Sequence, residues 1–149
     1  MRLELTRRTD LALRALLELG SVPRRTKGAE LAERVGTTSG FLAQALAPLV
    51  ERRWIVSEPG PTGGYSLAVG LDGLSVLDLI EASEGVTDTG RCVLVGDDCP
   101  VEDPCALHGP WTRARAALTA ELARTPLAEV QHRDRPGTDR SPRQTEKRP

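Results

Sequence analysis

The chain has 149 residues, of which 39% are hydrophobic, 28% charged and 3% aromatic. No stretch approaches the roughly 18 apolar residues of a membrane span, and the first ten residues have no apolar segment typical of a signal peptide. We therefore expect a globular cytoplasmic protein with an aliphatic core. The net charge of −1 is unevenly distributed: residues 1–70 hold 10 Lys and Arg against 7 Asp and Glu, whereas residues 71–130 hold 4 against 11. A basic N-terminal half is typical of proteins that bind nucleic acid.

The first helix is predicted from Thr6 to Leu19, with Thr6 as N-cap. Leucines recur at the i, i+3, i+4 spacing of a buried stripe, and Gly20 and Pro23 are expected to end the helix. The stripe consists of Leu13, Leu16 and Leu17.

Two further helices have the spacing of a helix-turn-helix. The second is predicted over Gly28–Val35 and the third over residues 40–53, joined through Gly36, which is free to adopt a positive φ. Pro48 should kink or end the third helix near Ala47, because proline removes a helical hydrogen bond.

The start of the third helix is the predicted DNA-reading element, because these positions reach base edges in the major groove. Glutamine can bond to adenine, and Ser or Thr to a base or a phosphate. Arg52 and Arg53 follow the helix, where they could hold phosphates. The outward polar positions are Thr38, Ser39, Gly40 and Gln44.

A β-hairpin follows, and it makes the unit a winged helix. The sequence predicts a strand over Trp54–Ser57, a turn at 59–64, and a second strand in which Tyr65, Leu67 and Val69 alternate with small or polar residues. The wing residues in the predicted DNA-binding set are Thr62, Gly63, Gly64 and Tyr65.

The remainder is predicted to be a fourth helix over 74–85, an irregular loop over 85–107 and a long helix over 110–124. One face of the long helix is apolar, and it could form a dimer interface or pack within its own chain; it consists of Ala114, Ala117, Leu118 and Leu122. Residues 131–149 are expected to be a disordered tail, because they hold no apolar residue that could offset the entropy of ordering.

All three cysteines of the chain, Cys92, Cys99 and Cys105, lie in the predicted loop over 85–107. Disulfides are rare in reducing compartments, so the group predicts metal binding or redox chemistry. Iron–sulfur clusters tolerate wide cysteine spacings, whereas structural zinc favours pairs about two to four residues apart, which neither gap provides. Inert thiols are the remaining alternative.

A cluster needs a fourth ligand, and two residues are candidates. His108 lies three residues after Cys105, and Asp10 lies on the first helix, from which it would have to reach the loop of a second subunit. Each has a structural alternative. The histidine could bond a backbone group at a helix start, and an acid in the first turn is favoured by the helix dipole.

These motifs together resemble the IscR/NsrR family, the Rrf-type winged-helix repressors of bacteria. The resemblance spans residues 1–130 and is carried by TDLALRALLEL, FLAQAL, GPTGGYSL, the three-cysteine loop and CALHGPW. It implies a homodimer in which an iron–sulfur cluster, 2Fe-2S or 4Fe-4S, controls affinity for double-stranded DNA. His108 is similar to the fourth ligand of the iron–sulfur biogenesis branch, and Asp10 to that of the nitric-oxide-sensing branch.

Two departures from the family pattern affect DNA reading. The wing usually begins with Arg-Gly, whereas this chain has Glu58-Pro59-Gly60-Pro61 and therefore lacks the minor-groove arginine. Ala43 stands where the biogenesis branch has a glutamate that helps to discriminate sites. The operator sequence therefore cannot be carried over from the family.

The predicted fold is mainly α with a small hairpin wing and a long dimerisation helix. The predicted units are a DNA-binding domain over 1–70, a cysteine loop with dimerisation helices over 71–130, and the tail. The predicted function is a DNA-binding transcriptional repressor whose cluster senses nitric oxide, redox or iron–sulfur status. The alternatives are direct oxidant sensing by the thiols and a small electron carrier. We do not expect an enzyme, because the sequence contains neither a Ser/His/Asp set nor a phosphate-binding loop.

Overall fold

Five α-helices and one two-stranded hairpin make up the part of the chain that the computed structural model describes, residues 3–94, 100 and 104–130. This architecture confirms the predicted mainly helical fold with a hairpin wing. Cys99 and the predicted tail lie outside the described residues. The elements are α1 (Arg7–Ser21), α2 (Gly28–Arg34), α3 (Ser39–Glu51), β1 (Ile55–Glu58), β2 (Gly64–Leu67), α4 (Val76–Glu84) and α5 (His108–Arg124).

Helix α1 begins where the sequence predicts but ends later. The Thr6 hydroxyl accepts a hydrogen bond from the Thr9 amide at 3.2 Å, which confirms the N-cap. The helix continues through Gly20 to Ser21, because Leu71 packs directly on Gly20: an added Cβ there would lie 2.8 Å from a Leu71 methyl carbon. Burial of the helix against its neighbours thus offsets the roughly 1 kcal/mol that glycine costs in a helix.

The helix-turn-helix forms as predicted. Val35 ends α2 as its C-cap, and Gly36 follows with φ +71°, the left-handed conformation that glycine adopts without strain. The facing residues of α2 and α3 pack in the shared core, which includes Leu31, Ala32, Val35, Leu42 and Ala45.

Of the two outcomes predicted for Pro48, a kink or an end near Ala47, the end is wrong, since α3 continues to Glu51. Leu46 and Leu49 on either side of the proline are fully buried. Burying a leucine contributes about 1.5–3 kcal/mol, so the two together can offset the roughly 3 kcal/mol that a proline costs inside a helix. Gln44, whose carbonyl loses its helical partner, is exposed and can be hydrated.

The hairpin is antiparallel, with Ile55 opposite Leu67 and Glu58 opposite Gly64. β1 lies one residue later than predicted, and β2 ends before Val69. Ile55 is the buried residue of β1, and it anchors the wing to the helical core.

Residues from both halves of the chain build one apolar core. Leu79 of α4 and Leu127, in a short 3-10 turn after α5, are fully buried with the leucines of α1 and α3. α5 itself has no buried residue. Every helix in the described part of the chain is too short or too polar to cross a membrane.

Candidate nucleic-acid interface and cysteine site

The start of α3 presents polar groups to solvent. The Thr38 hydroxyl accepts a hydrogen bond from the Phe41 amide at 3.3 Å and caps the helix. Thr38, Ser39, Gly40 and Gln44 are all exposed, as the sequence predicts. Gly40 has no neighbour within 4 Å of an added Cβ, so this end of the helix is open to an approaching partner.

Two cations that the sequence analysis did not select lie beside this surface. The Arg7 guanidinium is 5.6 Å from the centre of the Phe41 ring. Arg8 lines a shallow pocket whose other residues belong to α3 and include Phe41 and Gln44. In the sequence, these two arginines are visible only as an adjacent pair directly after the Thr6 N-cap. Their position beside the start of α3 follows from the packing of α1 on α3.

Arg52 and Arg53 lie at the root of the wing, as predicted. Arg52 is the C-cap of α3, and Arg53 has φ +60°, the one non-glycine residue with positive φ among those described. Both side chains are exposed, and neither forms an ion pair with a described residue. They are therefore available to an anionic ligand.

The glycines of the wing are needed to close it. A Cβ on buried Gly63 would lie 2.1 Å from the Glu58 carbonyl oxygen, and one on Gly64 would lie 2.3 Å from that of Thr26. The Tyr65 amide donates to the Thr26 carbonyl at 2.8 Å, and the Thr26 amide donates to the Tyr65 carbonyl at 2.9 Å. These contacts give three of the predicted wing residues a structural role in docking the hairpin.

The exposed part of the wing carries little free charge. Thr62 is exposed at the tip, while the Glu58 carboxylate is paired with Arg25 from the loop before α2. Glu58 begins the segment that replaces the family's Arg-Gly at the start of the wing. Its ion pair with Arg25 neutralises its charge.

Two of the three predicted cysteine ligands are brought together. Cys92 is 7% exposed, Cys105 is half-buried, and their Sγ atoms are 3.6 Å apart. Two thiolates on one tetrahedral ion, with metal–sulfur bonds of about 2.3 Å, lie about 3.8 Å apart. The pair therefore fits ligation of a shared metal centre. Among the described residues no third His, Cys, Asp or Glu completes a metal-binding group with them; the third predicted cysteine, Cys99, is not among those residues.

The two candidates for the fourth ligand have different surroundings. His108 is the exposed first residue of α5, and its amide donates to the Cys105 carbonyl at 3.0 Å. Asp10 is paired with Arg14 at 2.8 Å, and Arg14 also donates to the Val35 carbonyl at 3.1 Å. Arg14 thus links α1 to the C-cap of α2, and Asp10 is the ion-pair partner of this arginine.

The loop that leads to Cys92 is anchored on α5. The Asp88 carboxylate accepts from the Gly90 amide at 3.0 Å and is paired with Arg115. The Gly90 bond and then the Arg115 guanidinium hold the pKa of Asp88 below its usual value. This anchor is therefore retained at neutral pH and is lost as the pH falls through the lowered pKa.

Comparison with known proteins identifies the class of protein in which these features occur. The Rrf2 family model, described as an iron-dependent transcriptional regulator, matches residues 5–133. The HTH-type transcriptional regulator IscR of Klebsiella pneumoniae strain 342 is 31% identical over 129 residues, which cover 87% of this chain and 75% of that protein. IscR of Escherichia coli O1:K1 matches at the same identity and coverage.

Solved structures share the fold. CymR, the global cysteine regulator of B. subtilis, superposes with a TM-score of 0.69 at 24% identity, covering 85% of this chain and 95% of its own. T. potens IscR superposes with a TM-score of 0.66 at 22% identity, covering 85% and 84%. The family model and the IscR sequences place the chain in the Rrf2 family of transcriptional regulators, and the solved structures share its winged-helix fold.

Proposed function

We propose that this regulator is a homodimeric repressor whose affinity for double-stranded DNA is controlled by an iron–sulfur cluster held by Cys92, Cys99 and Cys105. The observation that carries the proposal is the 3.6 Å separation of the Cys92 and Cys105 sulfurs in a chain whose exposed recognition helix suits the major groove. The cysteine loop and α5 would form the sensing and dimerisation unit over 71–130, and residues 1–70 the DNA-binding unit.

DNA reading is assigned to the exposed start of α3. Thr38, Ser39, Gly40 and Gln44 would enter the major groove, because this end of the helix is open and polar. Arg52 and Arg53 would hold phosphates at the root of the wing. In the wing, Thr62 would lie against the DNA backbone, supported by the turn that Gly63, Gly64 and Tyr65 close.

Gln44→Ala is expected to relax base preference at one position of each half-site. Loss of a bidentate contact to a base costs on the order of 1–3 kcal/mol of discrimination. The measurement is selection of bound sequences from a randomised duplex pool, followed by titration of the selected duplex and its single-base variants. Glu129→Ala, at an exposed position after α5, is the matched control. An unchanged preference in Gln44→Ala would remove this residue from the reading set.

Dimerisation is assigned to α5. This 17-residue helix has no buried residue, and Leu118 on its apolar face is 40% exposed. A helix of this length with an exposed Ala- and Leu-rich face is typical of a surface that a second subunit covers. Two-fold symmetry would then place two recognition helices about 34 Å apart, on successive major grooves.

Leu118→Glu is expected to convert the dimer into monomers, because it would bury a charge without a partner at the interface. Analytical ultracentrifugation of the variant and the wild type measures this. Thr112→Glu, exposed near the start of the same helix, controls for added charge, since it lies outside the apolar face. A monomeric wild type would contradict the assignment.

The fourth cluster ligand is His108 or Asp10 of the partner subunit. We favour His108, because it directly follows the Cys105 turn, whereas Asp10 is already paired with Arg14. When bound, an iron–sulfur cluster supplies a redox- and gas-sensitive centre. The chain's own part is to bring thiolates into reach and to tie the loop to α5 through Asp88 and Arg115.

The proximity of the two sulfurs also supports a second candidate, direct sensing of peroxide by the thiols. The half-buried Cys105 thiolate would attack hydrogen peroxide to give a sulfenic acid and hydroxide, which takes a proton to become water. The Cys92 thiol would then attack that sulfur, forming a disulfide and releasing a second water. The two thiols together lose two electrons and two protons to the peroxide.

A further inference from the structure

The start of α1 lies against the reading face of α3. Arg7 stacks over the Phe41 ring at 5.6 Å, and Arg8 shares a pocket with Phe41 and Gln44. Phe41 is itself 37% exposed. Arg8 thus lies next to Gln44, the residue proposed to read a base, and Arg7 lies beside Phe41, although more than 30 positions of the chain separate each pair.

Neither guanidinium is neutralised within the described part of the chain. The ion pairs there engage Arg14, Arg24, Arg25, Arg34, Arg115 and Arg124, and none of them involves Arg7 or Arg8. Both side chains are exposed. An exposed guanidinium keeps five donors in a fork that matches phosphate oxygens. The pair therefore has the chemistry of a phosphate contact at the edge of the proposed reading surface.

We infer that Arg7 and Arg8 bind DNA phosphates flanking the groove that α3 enters, and that Glu84 positions them. The inference rests on the proposed DNA-binding function and adds a backbone contact beside Phe41 and Gln44 to the one proposed for Arg52 and Arg53 at the C-terminal end of α3. Two separate backbone contacts would fix the register of the recognition helix.

Glu84 connects this contact to the loop that leads to the cysteines. Its carboxylate accepts a hydrogen bond from the Thr6 amide at 3.3 Å and another from the hydroxyl of Thr9, which is fully buried. Glu84 is the last residue of α4, and the next residue, Gly85, begins the loop to Cys92. The first turn of α1, and with it the two arginines, is therefore held by the residue at which the cysteine loop begins.

The phosphate contact is tested with the full chain and a fluorescein-labelled duplex of arbitrary sequence, about 30 base pairs long to span two half-sites. An unselected duplex suffices because phosphate contacts are independent of sequence. Anisotropy titrations over a range of salt concentrations give the slope of log K against log salt. Because each variant removes its residue from both subunits of the proposed dimer, that slope should fall by about two for Arg8→Ala and by about four for the double variant Arg7→Ala/Arg8→Ala. Arg113→Ala, which removes an exposed arginine of α5, should leave it unchanged.

The role of Glu84 is tested in the same assay, by whether its substitution tightens or weakens binding to DNA. Glu84→Ala removes a negative charge, which would tighten binding to DNA if charge alone mattered. The positioning role predicts weaker binding and a smaller slope instead, with recovery in Glu84→Gln, whose amide oxygen can still accept both bonds. Tighter binding by Glu84→Ala would overturn the positioning role.

The outcomes separate this inference from the proposed function. A wild type with a steep salt slope that the double arginine variant retains would overturn the phosphate contact and leave DNA binding in place. A wild type that binds no duplex at low salt would overturn both. Thermal melting of each variant verifies folding, and the exposed positions of Arg7 and Arg8 predict melts close to that of the wild type.

Discussion

Replacement of Cys92 or Cys105 by serine is expected to remove iron and acid-labile sulfide together from anaerobically purified protein. The two sulfurs are 3.6 Å apart, so loss of either leaves one thiolate where a shared centre needs two. Iron and sulfide assays with visible absorption spectra measure the effect, and DNA affinity should change in parallel. Cys99→Ser should behave in the same way. Thr89→Ala, at an exposed position of the same loop, should retain full occupancy.

Variants of the two remaining candidates identify the fourth ligand. His108→Ala should weaken or shift the absorption of the cluster, while Asp10→Ala should leave it unchanged. Asp10→Ala also frees Arg14 from its ion pair, so urea unfolding of that variant should accompany the spectra. The reverse outcome would assign ligation to Asp10 of the partner subunit. Unchanged spectra in both variants would mean that neither residue is a ligand.

A different outcome would favour direct thiol sensing. A colourless wild type, free of iron and zinc, would contradict the cluster. If peroxide then removed two thiols per chain, and peptide mapping placed the disulfide between Cys92 and Cys105, the second candidate function would hold. Cys99→Ser should still form that disulfide, whereas Cys92→Ser should stop at the sulfenic acid on Cys105.

Gly64→Ala is expected to destabilise the protein by about 2–4 kcal/mol, the sum of a strained backbone and a steric overlap. Gly64 has φ +145°, and an added Cβ would lie 2.3 Å from the Thr26 carbonyl oxygen. That carbonyl accepts the hydrogen bond that docks the wing on the loop before α2. Urea unfolding followed by circular dichroism measures the free energy of unfolding.

Alanine substitutions at two other glycines separate the cost of the strained backbone from the cost of the steric overlap. Gly60 has φ +97° with nothing within 4 Å of an added Cβ, so Gly60→Ala reports the backbone cost without the overlap. Gly73 has neither a positive φ nor a close neighbour, and Gly73→Ala should be neutral or slightly stabilising. The expected order of stability is Gly73→Ala, then Gly60→Ala, then Gly64→Ala. A Gly64→Ala variant as stable as the wild type would contradict the close approach.

Much of the fold is local and was predictable. Thr6 was identified as a cap from its residue type, since its hydroxyl satisfies an amide in the first turn. The turn at Gly36 followed from the freedom of glycine to adopt a positive φ. Element ends were less accurate: α1 extends through Gly20, and α3 continues past Pro48. In both cases packing with distant residues outweighed a local preference that the sequence displays correctly.

In the candidate site, too, some features follow from local sequence and others from tertiary packing. The sequence by itself determined the exposed polar start of α3 and the grouping of three cysteines in one loop, because helical periodicity and spacing are properties of neighbouring residues. Only the tertiary structure decided that Cys92 and Cys105 meet at 3.6 Å, that Gly64 lies against the Thr26 carbonyl, and that Arg7 and Arg8 lie beside Phe41 and Gln44. These contacts join residues far apart in the chain, and they depend on how the helices and the hairpin pack around the shared leucine core.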